Sequence, residues 1–206
     1  MEPIGVVDGI AIPYLHDDVD TDRLIPIRFL RRPLADGYGR FLLADERFDA
    51  AGAERREIVF NQPAYRDGTI LLSGHNFGCG SAREGAVYAV RDYGIRVVIA
   101  AGYSDIFRMN CCWNGVLPVV LPIEAIAQLV AQVEAAPGAR IRVDLPAQQV
   151  HGPDGTSYSF DIALPVKQRL MAGLDQIAGT QQLQEQIDAF ERAHYARMPW
   201  VMNREA

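Results

Sequence analysis

Residues 74–85, GHNFGCGSAREG, put four glycines, a cysteine, a serine and an Arg–Glu pair into twelve positions. Glycine at that density lets backbone come close to a ligand or to another strand. A serine hydroxyl can serve as base or nucleophile. An arginine two residues on offers a bidentate fork for a carboxylate. Two phosphate-binding patterns fail on residue type. A dinucleotide fingerprint needs G-x-G-x-x-G, but Arg83 stands where the third glycine must pack. A Walker A loop needs Lys-Ser/Thr after its second glycine, and Ala86-Val87 follow Gly85.

Two readings of Ser81 remain. Ser81 and Glu84 have capping-box spacing, so Ser81 can be a helix N-cap contributing about 1 kcal/mol. The same position favours anions, because a helix N-terminus has partial positive charge and free N–H groups. A serine base beside an Arg83 carboxylate anchor would use it, with glycine N–H groups facing substrate. The plain alternative for Arg83 is a surface salt bridge. For Cys79 it is a small buried apolar residue, and that reading is preferred.

The elements around this loop follow from hydrophobic spacing. TILLS (69–73) reads as a buried strand and 81–93 as a helix, with Ala82, Ala86, Ala89, Val90 and Tyr93 on one face. Gly94 is a C-terminal stop. IRVVIAAG (95–102) is the next buried strand, which makes a βαβ unit with a parallel pair. A short helix at 104–112, a strand in VLPVVLP and a helix at 123–135 follow. Strands at 140–145 and 156–162 flank HGPDGTSY, where Asp154-Gly155 marks a turn. Helical segments around 165–172 and 180–196 end the chain. Before the loop, 1–26 holds a strand, the polar turn HDDVDTD and a short apolar stretch. Residues 27–56 read as a long, partly mobile loop with short helical pieces.

Composition narrows the function classes. The chain has 206 residues, 49% hydrophobic and 22% charged, which suits one domain spanning 1–206 with residues 165–206 as a C-terminal helical extension. Net charge is −6 and basic residues form no long run, so nucleic acid is not an expected partner. The N-terminal stretch lacks the basic and apolar regions of a signal peptide. The apolar runs are of strand length, so neither membrane nor export is expected and the location reads as cytoplasmic. Cys79, Cys111 and Cys112 are odd in number and form no C-x-x-C. A disulfide framework and a metal held by this chain alone are therefore not expected. Asp20, Thr21 and Asp22 suggest either a cation site or a turn with Asx-type bonds, and the turn is preferred. His16, His75, His151 and His194 do not cluster; His75 alone lies in the suspected loop.

VDTDRLIP (19–26), ILLSGHNFGCGSAREGA (70–86) and YSDIFRMNCCWNGVLPV (103–119) occur in that order, followed by AGLDQIAGT (172–180). Together these resemble the small subunit of bacterial 3-isopropylmalate dehydratase, the separate-chain counterpart of the swivelling last domain of aconitase. The resemblance covers nearly the whole chain. It implies an α/β fold: a single swivelling domain with helices packed on a mixed sheet that has a barrel-like part. It implies a larger partner subunit carrying a [4Fe–4S] cluster, with no cofactor bound by this chain alone. It also implies a hydro-lyase of leucine biosynthesis, isomerising 2- and 3-isopropylmalate by dehydration and rehydration. In that superfamily the first serine of G-S-S-R-E is the base and its arginine binds substrate carboxylate. These fall on Ser81 and Arg83. The loop after D-T-D lines the substrate, which implicates Phe29, Leu30, Arg31 and Arg32. The sequence departs from the usual motif in having Ala82 for the second serine, Gly85 for a histidine and His75 for a basic residue. Two alternatives therefore stand: a related small subunit for another malate-type diacid (methylmalate, dimethylmalate or maleate), and a non-catalytic binding module on the same fold.

Overall fold

A computed structural model describes residues 1–81 and 83–202. The chain opens with β1 (Val6–Pro13), followed by the single-turn helices α1 (Thr21–Leu24) and α2 (Ala44–Arg47). Next come β2 (Ile70–Leu72), α3 (Glu84–Tyr93), β3 (Val97–Ala100), α4 (Asp105–Trp113), β4 (Leu117–Val120) and α5 (Ile123–Ala135). The strands β5 (Arg140–Asp144), β6 (Gln149–His151) and β7 (Ser157–Ser159) precede α6 (Leu164–Ala172), α7 (Gln176–Gln181) and α8 (Gln184–Arg197).

The strands form one mixed half-barrel sheet in the order β4-β3-β2-β1-β5-β6-β7. β1 belongs to both halves. Its Val6–Ile10 stretch pairs antiparallel with β5, and its Ala11–Pro13 end pairs parallel with β2. β2, β3 and β4 continue in parallel, so the βαβ unit read from the sequence is present. Strands covered on both faces need continuous apolar runs. Ile70–Leu72 and Val97–Ala100 meet that need and are wholly buried. Ala86, Val87, Ala89 and Val90 give α3 its buried face, and Gly94 ends it with φ +112°. Each fully buried Val, Leu or Ile contributes about 1.5–3 kcal/mol.

Two elements differ from the sequence reading. α3 begins at Glu84 with Arg83 at the cap position, so Ser81 is outside the helix and caps nothing. The carboxylate of Glu84 instead accepts from the Asn114 side chain at 3.0 Å, which replaces the reciprocal half of a capping box. The Asp154-Gly155 turn joins β7 to β6, a strand of only three residues; β6 in turn pairs with β5. Ala82, placed on the helix face from the sequence, lies outside the described residues.

Within 27–56 the chain makes 3₁₀ turns at Ile27–Phe29, Leu34–Asp36 and Tyr38–Phe41 before α2. Tyr38, Phe41, Leu42 and Leu43 are core residues, whereas 31–36 are exposed. The Arg47 side chain is buried as well, donating to the Leu42 carbonyl and to the Asn61 side chain, both at 3.1 Å. At the other end, α8 buries none of its residues.

Candidate functional site at the strand ends

The loops following β1, β2 and β3 leave the carboxyl edge of the parallel strands, where open α/β sheets place their ligands. The glycine-rich loop after β2 runs between the other two. On one side Gly74 N–H donates to His16 O (3.0 Å), Asp18 N–H to His75 O (3.0 Å), and Gly78 N–H to Val19 O (2.7 Å). On the other, Phe77 N–H donates to Gly102 O (2.9 Å) and Ser104 N–H to Phe77 O (3.0 Å). Side chains reinforce the seam: Asp17 accepts from His75 N–H at 2.6 Å and Asp18 from the Asn76 amide at 2.7 Å.

This arrangement corrects the expected role of the glycines. The N–H groups of Gly74 and Gly78 are spent on neighbouring carbonyls rather than aimed at a ligand. A Cβ on Gly78 would lie 2.1 Å from Phe107 Cγ, so glycine there admits α4 against the loop. Gly80 has φ +83°, which turns the chain outward just before Ser81.

Ser81 is exposed at the end of this turn, and its carbonyl accepts from Thr21 Oγ1 at 2.6 Å. Arg83 is held differently. Its side chain is 23% exposed, and Nε lies 3.1 Å from Asp22 Oδ1. The approach angle is poor, so this buried Nε has an ion-pair neighbour but no aligned hydrogen bond. The contact is the salt bridge that the plain reading of Arg83 expected, made to the exposed Asp22 of the D-T-D segment. In that segment Asp20 accepts from Arg23 N–H at 2.6 Å and caps α1, the Asx-type bond read from the sequence.

Phe29 and Leu30 come to the same region. Phe29 stacks on Phe41 at 4.3 Å, and a Cβ on Gly85 would lie 2.8 Å from Leu30 Cδ2. The Tyr38 hydroxyl is 3.2 Å from Leu30 O and 3.0 Å from Arg32 O, and Tyr38 N–H donates to Asp92 on α3 at 3.1 Å. Leu30 is thus packed on the first turn of α3. Arg31 and Arg32 are exposed in the bend that follows, and neither is in an ion pair among the described residues.

The histidines stay apart. His75 is exposed in the loop, His16 meets Tyr14 edge-on, His151 bonds Ser157, and His194 stacks on Phe190. Among the described residues no three His, Cys, Asp or Glu side chains converge as metal donors. Burial, then Asp18 and Asp20, push the Cys79 thiol above its ordinary value. Burial raises the fully buried Cys111 and pushes Cys112 up to about 11. All three behave as small core or loop residues rather than reactive thiols.

Sequence reasoning missed Tyr38 and a group in which the buried Tyr14 meets the half-buried Arg23 and Glu46. The Tyr14 hydroxyl donates to Glu46 at 2.9 Å, and Arg23 pairs with the same carboxylate. Burial first, and then Glu46, hold the Tyr14 hydroxyl above the usual phenol range. These residues lock α2 to the D-T-D segment. They are too far apart in sequence to have signalled one another.

A seven-stranded mixed half-barrel sheet of this order is the aconitase C-terminal swivelling fold. The family model for the aconitase C-terminal domain matches residues 1–124, and a second model, LeuD_N, matches residues 127–163. The 3-isopropylmalate dehydratase small subunit of Rhodospirillum centenum is 44% identical over 202 residues, covering 98% of this chain and 100% of that protein. Small subunits of the same name from Rubrobacter xylanophilus and Cupriavidus necator are each 43% identical, covering 98% of this chain and 100% and 98% of theirs. A crystal structure of 3-isopropylmalate dehydratase from Methanocaldococcus jannaschii superposes with TM-score 0.65 at 24% identity, covering 90% of this chain and 99% of that one, and supports the fold. The chain belongs to the aconitase C-terminal domain family, among the 3-isopropylmalate dehydratase small subunits.

Proposed function

We propose that this chain works as the small subunit of a 3-isopropylmalate dehydratase of leucine biosynthesis, a hydro-lyase that interconverts 2- and 3-isopropylmalate through the unsaturated diacid. The observation that carries the reading is full-length identity of 42–44% to small subunits of that name. A small subunit calls for a larger partner, and the active site then lies between the two chains. The partner's [4Fe–4S] cluster would supply Lewis acidity toward the departing hydroxyl. No helix among the described residues is long and apolar enough to cross a membrane.

In this reading Ser81 Oγ takes the proton from the carbon beside a substrate carboxylate and returns a proton on rehydration. Its exposure suits a residue that meets a substrate held on another chain. Arg83, steadied at Nε by Asp22, keeps its terminal nitrogens for a carboxylate fork. Arg31 and Arg32, exposed on the neighbouring loop and in no ion pair among the described residues, serve the second carboxylate.

The test is to purify the chain with its cognate large subunit under anaerobic conditions. Hydration and dehydration are then assayed across isopropylmalate, methylmalate, dimethylmalate and maleate. Turnover of isopropylmalate above the others is the expected result. Preference for another diacid would favour the related-subunit reading that Ala82 and Gly85 raise, and no turnover of any would favour a binding module. Ser81→Ala should assemble normally and lose turnover.

A further inference from the structure

We propose that Thr21 is a positioning residue of this site: it grips the chain on both sides of Gly80 and thereby fixes where Ser81 stands. The inference rests on the reading of Ser81 as the base. Thr21 is 1% exposed, in a segment otherwise rich in exposed acids. Its backbone N–H donates to Cys79 O at 3.0 Å, and its hydroxyl donates to Ser81 O at 2.6 Å. These two bonds bracket one residue, the positive-φ Gly80. Gly80 sits at φ +83° and, without restraint, would act as a hinge immediately before Ser81.

The geometry around Gly80 confirms the close approach. A Cβ there would lie 3.4 Å from Asp20 Cβ and 3.8 Å from Thr21 Oγ1, so the two segments touch. Thr21 is itself held firmly. Its carbonyl accepts from Ile25 N–H at 2.9 Å, Asp20 caps the turn, and Leu43 N–H donates to Leu24 O at 2.9 Å. The restraint thus passes from the core, through α1, to the peptide that carries Ser81. Thr21 does not need to touch substrate to do this. Its neighbour Asp22 acts on Arg83, so two consecutive residues place the base and the anchor separately.

Removing the Thr21 hydroxyl leaves no buried donor unpaired, and water can reach the exposed Ser81 segment to take over its carbonyl. Folding therefore loses little, while the position of Ser81 loses its restraint. Misplacement by about 1 Å can cost about 100-fold in rate.

The experiment compares Thr21→Val, Thr21→Ala, Thr21→Ser and Ser81→Ala in the assembled two-chain enzyme. Thr21→Val should lower kcat by roughly 10- to 100-fold, with KM changed by roughly threefold or less and normal assembly. Thr21→Ser, which keeps the hydroxyl, should recover most of the rate. Wild-type kcat in Thr21→Val, with Ser81→Ala inactive, would overturn the positioning role and leave the base reading intact. A fully active Ser81→Ala would overturn both. If Val and Ala both fail to assemble while Ser assembles, Thr21 is a folding residue and the proposal is wrong. Thr21→Ser as slow as Thr21→Val would also overturn it, because shape rather than the hydroxyl would then matter.

Discussion

On the parallel side of the sheet every residue of β2 and β3 is buried, whereas β5, β6 and β7 alternate or lie half-exposed. β1 shows both behaviours in one strand: Val6 and Asp8 are exposed where β5 is the partner, and Ala11 and Ile12 are fully buried where β2 is. The difference decides where chemistry can occur. Strands covered on both faces leave no room for polar side chains along their length. Parallel connections also bring successive loops out at one edge. The polar residues of β1 to β3 are therefore concentrated in adjacent loops, which hydrogen-bond to one another beyond the strand ends. The antiparallel side sends its hairpins to opposite edges and gathers no such cluster.

The largest contrast between the halves should come from Ser81→Ala, with kcat reduced by about 1000-fold or more. Asp154→Asn, at the β6–β7 turn, should leave kcat within about twofold, its role being local bonds to Thr156. An effect at Asp154 approaching that at Ser81 would break the assignment of function to the parallel side. Arg83→Lys keeps the charge but loses the fork, so kcat/KM should fall about 100-fold, chiefly through KM. An unchanged KM would remove Arg83 from substrate binding.

Stability separates the halves in its own way. Ile99→Ala in β3 should cost about 2–5 kcal/mol in chemical denaturation, because it opens a cavity in a strand packed on both faces. Ser157→Ala, on exposed β7, should stay within about 0.5 kcal/mol. Equal losses would mean that the two halves are equally buried. Among the changes near Ser81 and Arg83, the smallest effect is expected from Gly85→Ala. The added methyl must push the end of Leu30 aside, so KM should shift by roughly tenfold or less while the melting temperature barely moves. No change in KM would separate the Leu30 loop from substrate.

Much of the scaffold was readable because its signals are local. The spacing over 123–135 matches α5 residue for residue, and the runs around 70–72 and 97–100 are too apolar for anything but covered strands. β6 escaped because its one buried residue, Val150, stands between polar neighbours, so it offers neither an apolar run nor a repeated alternation. The start of α3 was misplaced for a different reason. Ser81 and Glu84 satisfy the local capping rule, yet Thr21, 60 positions away in sequence, takes hold of the Ser81 carbonyl and Gly80 turns the chain outward. That contact and the turn at Gly80 leave Ser81 outside the helix, where the local rule would have made it the cap.

By itself, then, the sequence determined the strand and helix runs, the excluded phosphate loops, and Ser81 and Arg83 as the residues to watch. Those follow from periodicity and residue chemistry, which act over a few neighbours. Tertiary structure decided that Gly78 packs against Phe107 and that the N–H groups of Gly74 and Gly78 bond neighbouring carbonyls. It also decided that Asp22 steadies Arg83, that Tyr38 fastens Leu30 to α3, and that Thr21 brackets Gly80. Each joins residues from separate loops, and only folding the parallel strands side by side brings those loops within hydrogen-bonding distance.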